Sequence, residues 1–231
     1  MQIYISMIHM MTNIETNLNL INQEIMPEEN SIQLIAVSKN FPIQDILIAY
    51  NYGQIAFGEN YPQELSEKAK ELSNYSIEWH FIGNIQSNKI KQIAKHASWI
   101  HSLSKESHAK LFNQCRENME KLNILIEVNI SNEEDKHGLH TFEEILSFAN
   151  YINTLPNLNL KGLMGMASNT NDLVILKSQF TKLAQFRDKL NQKSFNLTEL
   201  SMGMSNDYLE AIKCGATMVR IGSKIFGARY A

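Results

Sequence analysis

Lys39 is the residue whose type and position most clearly suggest chemistry. It follows a run of apolar residues at 34–37 and a single serine, Ser38. A lysine at the end of a buried strand is partly desolvated, which lowers the pKa of an amine and leaves it more nucleophilic toward aldehydes. The plainer interpretation is that Lys39 reaches solvent along an apolar surface and pairs with an acid.

Two segments near the other end of the chain combine serine with glycine. The segment 201–205 reads SMGMS, and the segment 220–223 reads RIGS. Glycine allows the backbone to approach an anion closely, and serine hydroxyls donate hydrogen bonds to it. Either segment alone is an ordinary turn between elements. Their occurrence together predicts a phosphate site.

Arg220 lies in the otherwise apolar stretch 218–221. A buried charge needs a partner, and one interpretation is an ion pair with a neighbouring carboxylate. The other is that Arg220 faces a heteroaromatic nitrogen and keeps it unprotonated, because a guanidinium donates a hydrogen bond but does not readily release its proton. An amine for an aldehyde, a phosphate site and an arginine between them are together what pyridoxal 5'-phosphate (PLP) requires.

The elements that must position these residues alternate between short apolar runs and amphipathic segments. Strands are predicted at 33–38, 55–57, 78–82, 99–102, 124–130, 160–164, 197–201 and 218–221. Helices are predicted at 43–50, 62–72, 87–95, 105–122, 142–154, 173–191 and 207–213, with another at 13–25 before the first strand.

This alternation favours a single (β/α)8 barrel of the TIM type with an extra N-terminal helix, because each parallel crossover needs its own helix. The alternative is an open doubly wound sheet, which usually carries a glycine-rich turn after its first strand. Residues 38–42 contain no glycine, so the barrel is preferred.

Polar side chains at the carboxyl ends of the predicted strands should meet at one mouth of the barrel. Besides Lys39, these include Asn60 and His80, which form either a catalytic pair or hydrogen bonds at the rim. His137 and His140 follow an acidic run, but their spacing around a glycine does not fix a common face. A solvated loop is favoured there over a metal site.

Composition excludes several classes of protein. With 231 residues, 44% of them hydrophobic, and a net charge of -3, the chain is expected to form one soluble domain over 1–231 without affinity for nucleic acid. No apolar run reaches the ~18 residues that span a bilayer, and the N-terminus lacks the features of a signal peptide. Cys115 and Cys214 lie far apart, which favours a reducing compartment. We therefore expect a cytoplasmic, monomeric protein without a membrane partner.

Several segments resemble the pyridoxal phosphate homeostasis protein family, single-domain relatives of the alanine racemase barrel. These segments are 36–39 (AVSK), 57–61 (FGENY), 79–83 (WHFIG), 86–89 (QSNK), 200–205 (LSMGMS) and 218–229 (MVRIGSKIFGAR). They occur in the order typical of the family and extend over about residues 31–229. Residues 40–42 and 84–85 depart from the family pattern, but neither departure touches the aldehyde chemistry.

The resemblance implies a cytosolic PLP-binding regulator of vitamin B6 and amino acid balance, without established turnover, whose partners would be apo-enzymes that need PLP. It implies that Lys39 forms a Schiff base with the cofactor and that Arg220 meets the pyridine nitrogen. The remaining implied contacts are to the phosphate (Ser201, Gly222 and Ser223, with Met202 and Ser205 as further contacts) and to the pocket wall (Asn60 and His80).

Two other functions remain open from the residues themselves. A PLP-dependent amino acid racemase needs a second acid/base group on the opposite face of the cofactor, usually a tyrosine or cysteine from another domain or subunit. The sequence offers no further domain to bring one, so a carrier is favoured. A barrel that processes phosphosugars, with Lys39 as its reactive amine, is the other alternative.

Overall fold

Eight parallel strands close into a barrel in the computed structural model of the chain, which describes residues 2–25, 32–133 and 135–227. The strands are β1 (Gln33–Val37), β2 (Ala56–Glu59), β3 (Glu78–Phe81), β4 (Trp99–Leu103), β5 (Leu122–Val128), β6 (Leu158–Gly165), β7 (Glu199–Met204) and β8 (Met218–Ile221). The helices in these segments are α1 (Gln2–Ile25), α2 (Ile43–Asn51), α3 (Pro62–Glu71), α4 (Ile90–His96), α5 (Glu106–Cys115), α6 (Phe142–Asn153), α7 (Leu173–Asn191), α8 (Tyr208–Lys213) and α9 (Ser223–Phe226). A 3-10 turn at Ser87–Lys89 precedes α4.

Closure of the barrel is made by β1 and β8, which pair in parallel from Gln33 opposite Met218 to Ala36 opposite Ile221. Each strand also pairs with its neighbour in sequence. The predicted TIM-type barrel is confirmed, and the open sheet is excluded. The pairing brings the residue after β1 and the residues after β8 to the same end of the barrel, although they are far apart in sequence.

The strands bury both of their faces. Alternation sends every second side chain into the barrel, where Ile35, Trp99, Leu125 and Met164 pack together. The intervening side chains pack outward in a much larger cluster beneath the helices. The barrel interior is therefore a filled core rather than a pore, and its open space lies at the mouth.

Helix α1 begins at Gln2, well before the predicted start near residue 13. Its residues Ile14, Leu18, Ile21 and Ile25 follow helical spacing and are buried against the barrel. The side-chain amide of Asn17 donates a hydrogen bond of 3.0 Å to the carbonyl oxygen of Ile225, so α1 also anchors the segment after β8. Neither α1 nor any other helix in the described segments is long and apolar enough to cross a membrane.

Two element boundaries differ from the predictions in ways that matter. Helix α5 ends at Cys115 rather than near residue 122, because Asn118 adopts a left-handed conformation with φ of 62°. The guanidinium of Arg116 donates to the carbonyl oxygen of Ala94 at 2.7 Å, which ties this turn to α4. Strand β7 runs to Met204 rather than ending at residue 201, and this extension moves part of the SMGMS segment from a loop into the sheet.

Candidate functional site

A cavity of about 460 Å³ opens at the carboxyl ends of the strands, a volume suited to a small organic ligand. Six residues predicted from the sequence line it: Lys39, Asn60, Ser205, Arg220, Gly222 and Ser223. They come from the ends of β1, β2, β7 and β8 or from the loops that follow. The amine from the start of the chain and the serine and glycine loops from its end thus share one mouth.

A buried ion pair fixes the backbone immediately before Lys39. The ammonium of Lys68 donates at 2.8 Å both to the carboxylate of Glu59 and to the carbonyl oxygen of Ser38. The hydroxyl of Ser38 donates to the same carboxylate at 2.6 Å. Burial raises the pKa of Glu59 to about 7, against the opposing charge of Lys68. Sequence reasoning missed this pair, although a glutamate directly after Gly58 at a strand end was a visible signal.

Asn60 carries a polar atom that needs a partner. Its side-chain oxygen Oδ1 is buried at the cavity wall and accepts no hydrogen bond from the part of the chain that the structure describes. A buried acceptor without a donor is costly, so a bound molecule with a donor group would stabilise this site. The backbone of Asn60 packs directly against Gly83. A side chain at Gly83 would collide with the backbone of Asn60, so this close contact requires glycine.

The loops after β7 and β8 meet through their serines. The hydroxyl of Ser223 donates a hydrogen bond of 3.1 Å to the hydroxyl of Ser205. Ser223 begins α9, and the first N–H groups of a helix have no carbonyl partner within it. A side chain at Gly222 would place its Cβ 3.1 Å from the carbonyl oxygen of Val37, so glycine allows this loop to lie close to β1. Hydroxyl and N–H donors converging on the cavity fit an anion.

Arg220 is held by neutral groups rather than by an ion pair. Its Nη1 atom donates to the carbonyl oxygen of Ser201 at 2.7 Å and to the Ser201 hydroxyl at 2.6 Å, and its Nη2 atom donates to the carbonyl oxygen of Gly165 at 3.2 Å. Within the described segments no carboxylate forms an ion pair with it. Burial lowers the pKa of Arg220 to about 10, with Asp207 and Glu127 acting in the opposite direction. The guanidinium therefore remains charged near neutral pH.

Ser201, Met202 and His80 were expected at the site but do not line the cavity. Because β7 continues to Met204, Ser201 lies inside the barrel, where its hydroxyl is already engaged by Arg220. The side chain of Met202 points outward into the layer beneath the helices. These placements speak against direct phosphate contacts from either side chain.

His80 lies deeper in the barrel than the mouth, because it is the third residue of β3 and its side chain points into the interior. Its ring stacks on Trp99 with a centroid separation of 5.6 Å, and its Nδ1 atom lies 2.9 Å from Nε2 of His101. His80 is fully buried, so it lies in the core beneath the cavity and does not form part of the cavity wall.

Sequence reasoning also missed a second lysine at the mouth. The ammonium of Lys136 donates at 3.0 Å to the carboxylate of Glu133 and at 3.0 Å to the carbonyl oxygen of Ala167. The side-chain amide of Asn129, at the end of β5, donates to the backbone oxygens of Glu133 and Lys136 and so folds this loop over the cavity. The acidic run near residue 133 gave no sign of this role.

Within the residues that the structure describes, the histidines of this loop belong to no metal-binding cluster. Across that part of the chain, no three His, Cys, Asp or Glu side chains form a group that could hold a metal ion. The backbone N–H of His140 donates at 2.9 Å to the carboxylate of Glu144, which caps α6.

The chain resembles known proteins along nearly its whole length. Residues 10–230 match the family described as "Alanine racemase, N-terminal domain". A pyridoxal phosphate homeostasis protein of Haemophilus influenzae is 45% identical, covering 94% of this chain and 96% of that protein. Another, of Schizosaccharomyces pombe, is 41% identical over 95% of this chain and 94% of its own length.

Solved structures agree with these relatives. PipY of Synechococcus elongatus, determined with PLP bound, superposes with a TM-score of 0.83 and 30% identity, covering 93% of this chain and 100% of that one. The match extends over the barrel that carries Lys39, Arg220 and Ser223. The chain belongs to the pyridoxal phosphate homeostasis protein family, within the larger family of alanine racemase N-terminal domains.

Proposed function

We propose that this protein binds PLP at the barrel mouth, holds it covalently on Lys39, and acts in intracellular vitamin B6 homeostasis without strong catalytic turnover. The observation that carries the proposal is the convergence of Lys39, Arg220 and Ser223 on one cavity. The PLP-bound structure of PipY supports the choice of ligand.

The residues present fit each end of the cofactor. The hydroxyls of Ser205 and Ser223, with backbone N–H groups at Gly222 and Ser223, would hold the phosphate. Arg220 would donate to the ring nitrogen and keep it unprotonated. Asn60, whose buried oxygen has no donor within the described chain, would line the ring. When bound, PLP supplies an aldehyde and an electron-withdrawing ring.

Lys39 would act as the nucleophile. Its neutral amine attacks the aldehyde carbon, a carbon–nitrogen double bond forms, and the aldehyde oxygen leaves as water. The same condensation runs backward when water enters, so the cofactor can be released intact. A protein that transfers PLP to apo-enzymes needs this reversibility. We propose that the protein has this role in the cytoplasm and that it acts as a monomer.

Amino acid racemisation is the second candidate, and the site favours it less. A racemase needs a group that exchanges a proton on the face of the substrate opposite the lysine. Among the described residues that line the cavity, none is a tyrosine or a cysteine. Lys136, the other amine at the mouth, is tied to Glu133 and to the backbone of Ala167.

The proposal is tested by adding PLP to the purified protein and recording its visible absorption. We expect a new visible band with the wild type and none with Lys39→Ala. Lys105→Ala is the matched control: Lys105 also lies two residues after a strand, β4, but does not line the cavity. A colourless wild type would contradict PLP binding, and an unchanged band in Lys39→Ala would contradict the role of Lys39. D/L interconversion of alanine at several turnovers per second would favour the racemase.

A further inference from the structure

A line of polar side chains crosses the barrel interior from its amino end to its mouth. The carboxylate oxygen Oε2 of Glu78, at the start of β3, lies 3.3 Å from Nε2 of His80. Nδ1 of His80 lies 2.9 Å from Nε2 of His101 on β4, and Nδ1 of His101 lies 2.9 Å from the hydroxyl of Ser201 on β7. Arg220 on β8 donates to that hydroxyl at 2.6 Å.

The carboxylate end of this line, together with neutral imidazoles, sets the direction of its hydrogen bonds. A guanidinium only donates, so the Ser201 oxygen accepts from Arg220, and the Ser201 proton is directed to Nδ1 of His101 when that nitrogen carries no proton. A neutral His101 then carries its proton on Nε2 and donates to Nδ1 of His80. The proton of His80 is left on Nε2, facing a carboxylate that only accepts.

Both imidazoles are neutral in this arrangement, which their burial favours. His80 and His101 are fully buried, and burial lowers the pKa of each ring, although the carboxylate of Glu78 raises that of His80. His101 also faces the positive charge of Arg220, which acts in the same direction. A hydrophobic stack on Trp99 closes one side of His80.

The neighbours of Glu78 keep its carboxylate ionised, so that it acts as a hydrogen-bond acceptor. Its carboxylate accepts 2.6 Å and 2.8 Å hydrogen bonds from the side chains of Trp99 and Gln33, besides facing His80. His80, followed by Trp99 and Gln33, lowers the pKa of Glu78 to about 2 against the effect of burial. The contact with His80, at 3.3 Å, is the longest of the line; it is an ion-pair distance without hydrogen-bond geometry, and Nε2 of His80 has no hydrogen-bond partner within the described part of the chain.

We propose that Glu78, at the amino end of the barrel, positions Arg220 at the mouth through contacts with His80, His101 and Ser201. Because Arg220 can only donate to the Ser201 oxygen, the Nη1 edge of the guanidinium is held inward; Nη2 also donates to Gly165, and the N–H groups not used in these bonds are left for a ligand in the cavity. Glu78, His80 and His101 are then positioning residues for the ring-nitrogen contact, which rests on the proposed function.

The first test uses the protein without cofactor. Long-range proton–nitrogen correlation spectra of histidine labelled with ¹⁵N report which ring nitrogen carries the proton, and His80→Gln and His101→Gln assign the two signals. We expect both rings to be neutral with the proton on Nε2 at pH 7. A doubly protonated ring, or a proton on Nδ1 of His101, would overturn the proposed chain whether or not the protein binds PLP.

The second test compares variants in PLP binding and in the absorption of the bound cofactor. Glu78→Gln replaces an acceptor by a group that must present an amide N–H to one of three donors, and His101→Leu removes the link. We expect the dissociation constant for PLP to rise about tenfold in each, as for one weakened charge-assisted hydrogen bond, with an altered absorption spectrum.

Two matched variants separate positioning from a general loss of structure. His101→Gln retains one acceptor and one donor, and Glu199→Gln changes a half-buried carboxylate at the start of β7 that bonds only to Thr198 and Thr217 among the contacts described. Both should bind PLP within about twofold of wild type with an unchanged spectrum. Equal losses in His101→Gln and His101→Leu would overturn the proposal. Failure of the wild type to bind PLP would instead contradict the proposed function, and the spectra without cofactor would still decide whether the chain exists.

Discussion

The hydroxyls of Ser205 and Ser223 lie 3.1 Å apart, joined by a hydrogen bond between the loops after β7 and β8. Their residues are neighbours only because the barrel closes, since Ser223 follows the strand that pairs with β1. Both hydroxyls face the cavity that Lys39 also lines. The contact therefore places two hydroxyl groups where a phosphate at one end of a ligand would lie when its other end reaches Lys39.

Removing these hydroxyls should weaken the binding of PLP but not of pyridoxal, which has the same aldehyde and ring without the phosphate. Hydrogen bonds to a charged group contribute about 1.5–3 kcal/mol, so the Ser205→Ala, Ser223→Ala double variant should bind PLP at least about tenfold more weakly. Titration followed by absorbance measures both ligands. An equal loss for pyridoxal would place the phosphate elsewhere.

Glu127 should make the free energy of unfolding depend on pH. It shares the inner face of β5 with Leu125, and burial raises its pKa to about 7, against the charge of Arg220. The folded protein keeps this proton up to about pH 7, whereas the unfolded chain releases it near the ordinary glutamate pKa of 4.5. Unfolding thus releases a proton between these values, and stability falls as pH rises from 4.5 to 7.

Glu127→Gln removes that titration and should flatten the pH profile. We expect the variant to match wild type near pH 4.5 and to exceed it above pH 7 by on the order of 3 kcal/mol. Urea unfolding at a series of pH values measures this difference, and the exposed Glu143→Gln on α6 is the control. A wild-type advantage above pH 7 would mean that Glu127 is charged and stabilised in the folded state.

Gly203 and Gly215 offer a matched pair for testing how tightly β7 packs. Both have a backbone φ of 92°, a conformation that residues other than glycine rarely adopt. A Cβ at Gly203 would lie 2.7 Å from the Cβ of Ala211 and 2.8 Å from the Cα of Tyr208, whereas a Cβ at Gly215 would meet nothing within 4 Å. Gly215→Ala should cost about 1–2 kcal/mol for backbone strain alone.

Gly203→Ala should cost about 1–3 kcal/mol more, because α8 must move away from β7. Chemical denaturation of the two variants isolates this crowding as the difference between them. Equal losses would show that α8 adjusts freely and that the turn after β7 is not fixed by its packing.

The sequence was sufficient to predict the barrel and most of its mouth. The alternation of apolar runs and helical segments predicted the eight strands, and the rule that polar groups gather at strand ends brought Lys39, Asn60 and Arg220 together. These predictions depend only on order and spacing, and small errors in strand ends do not disturb them.

A contact that depends on a strand boundary is harder to predict. The family resemblance implies a phosphate contact from Ser201, but β7 continues to Met204 and carries the Ser201 side chain inside the barrel. Methionine and glycine in this segment give no clear strand signal. His101 was missed because it looked like an ordinary strand residue. Its role depends on contacts with His80 and Ser201, which are distant in sequence.

The most direct test of the account is the identity of the lysine that takes up the cofactor. The protein is incubated with PLP, the carbon–nitrogen double bond is reduced with borohydride, and the labelled peptide is identified by mass spectrometry. Lys136 is the critical comparison, because its side chain lines the same cavity. We expect label on the peptide that contains Lys39. Label on Lys136 or another lysine instead, or no label after reduction, would contradict this expectation.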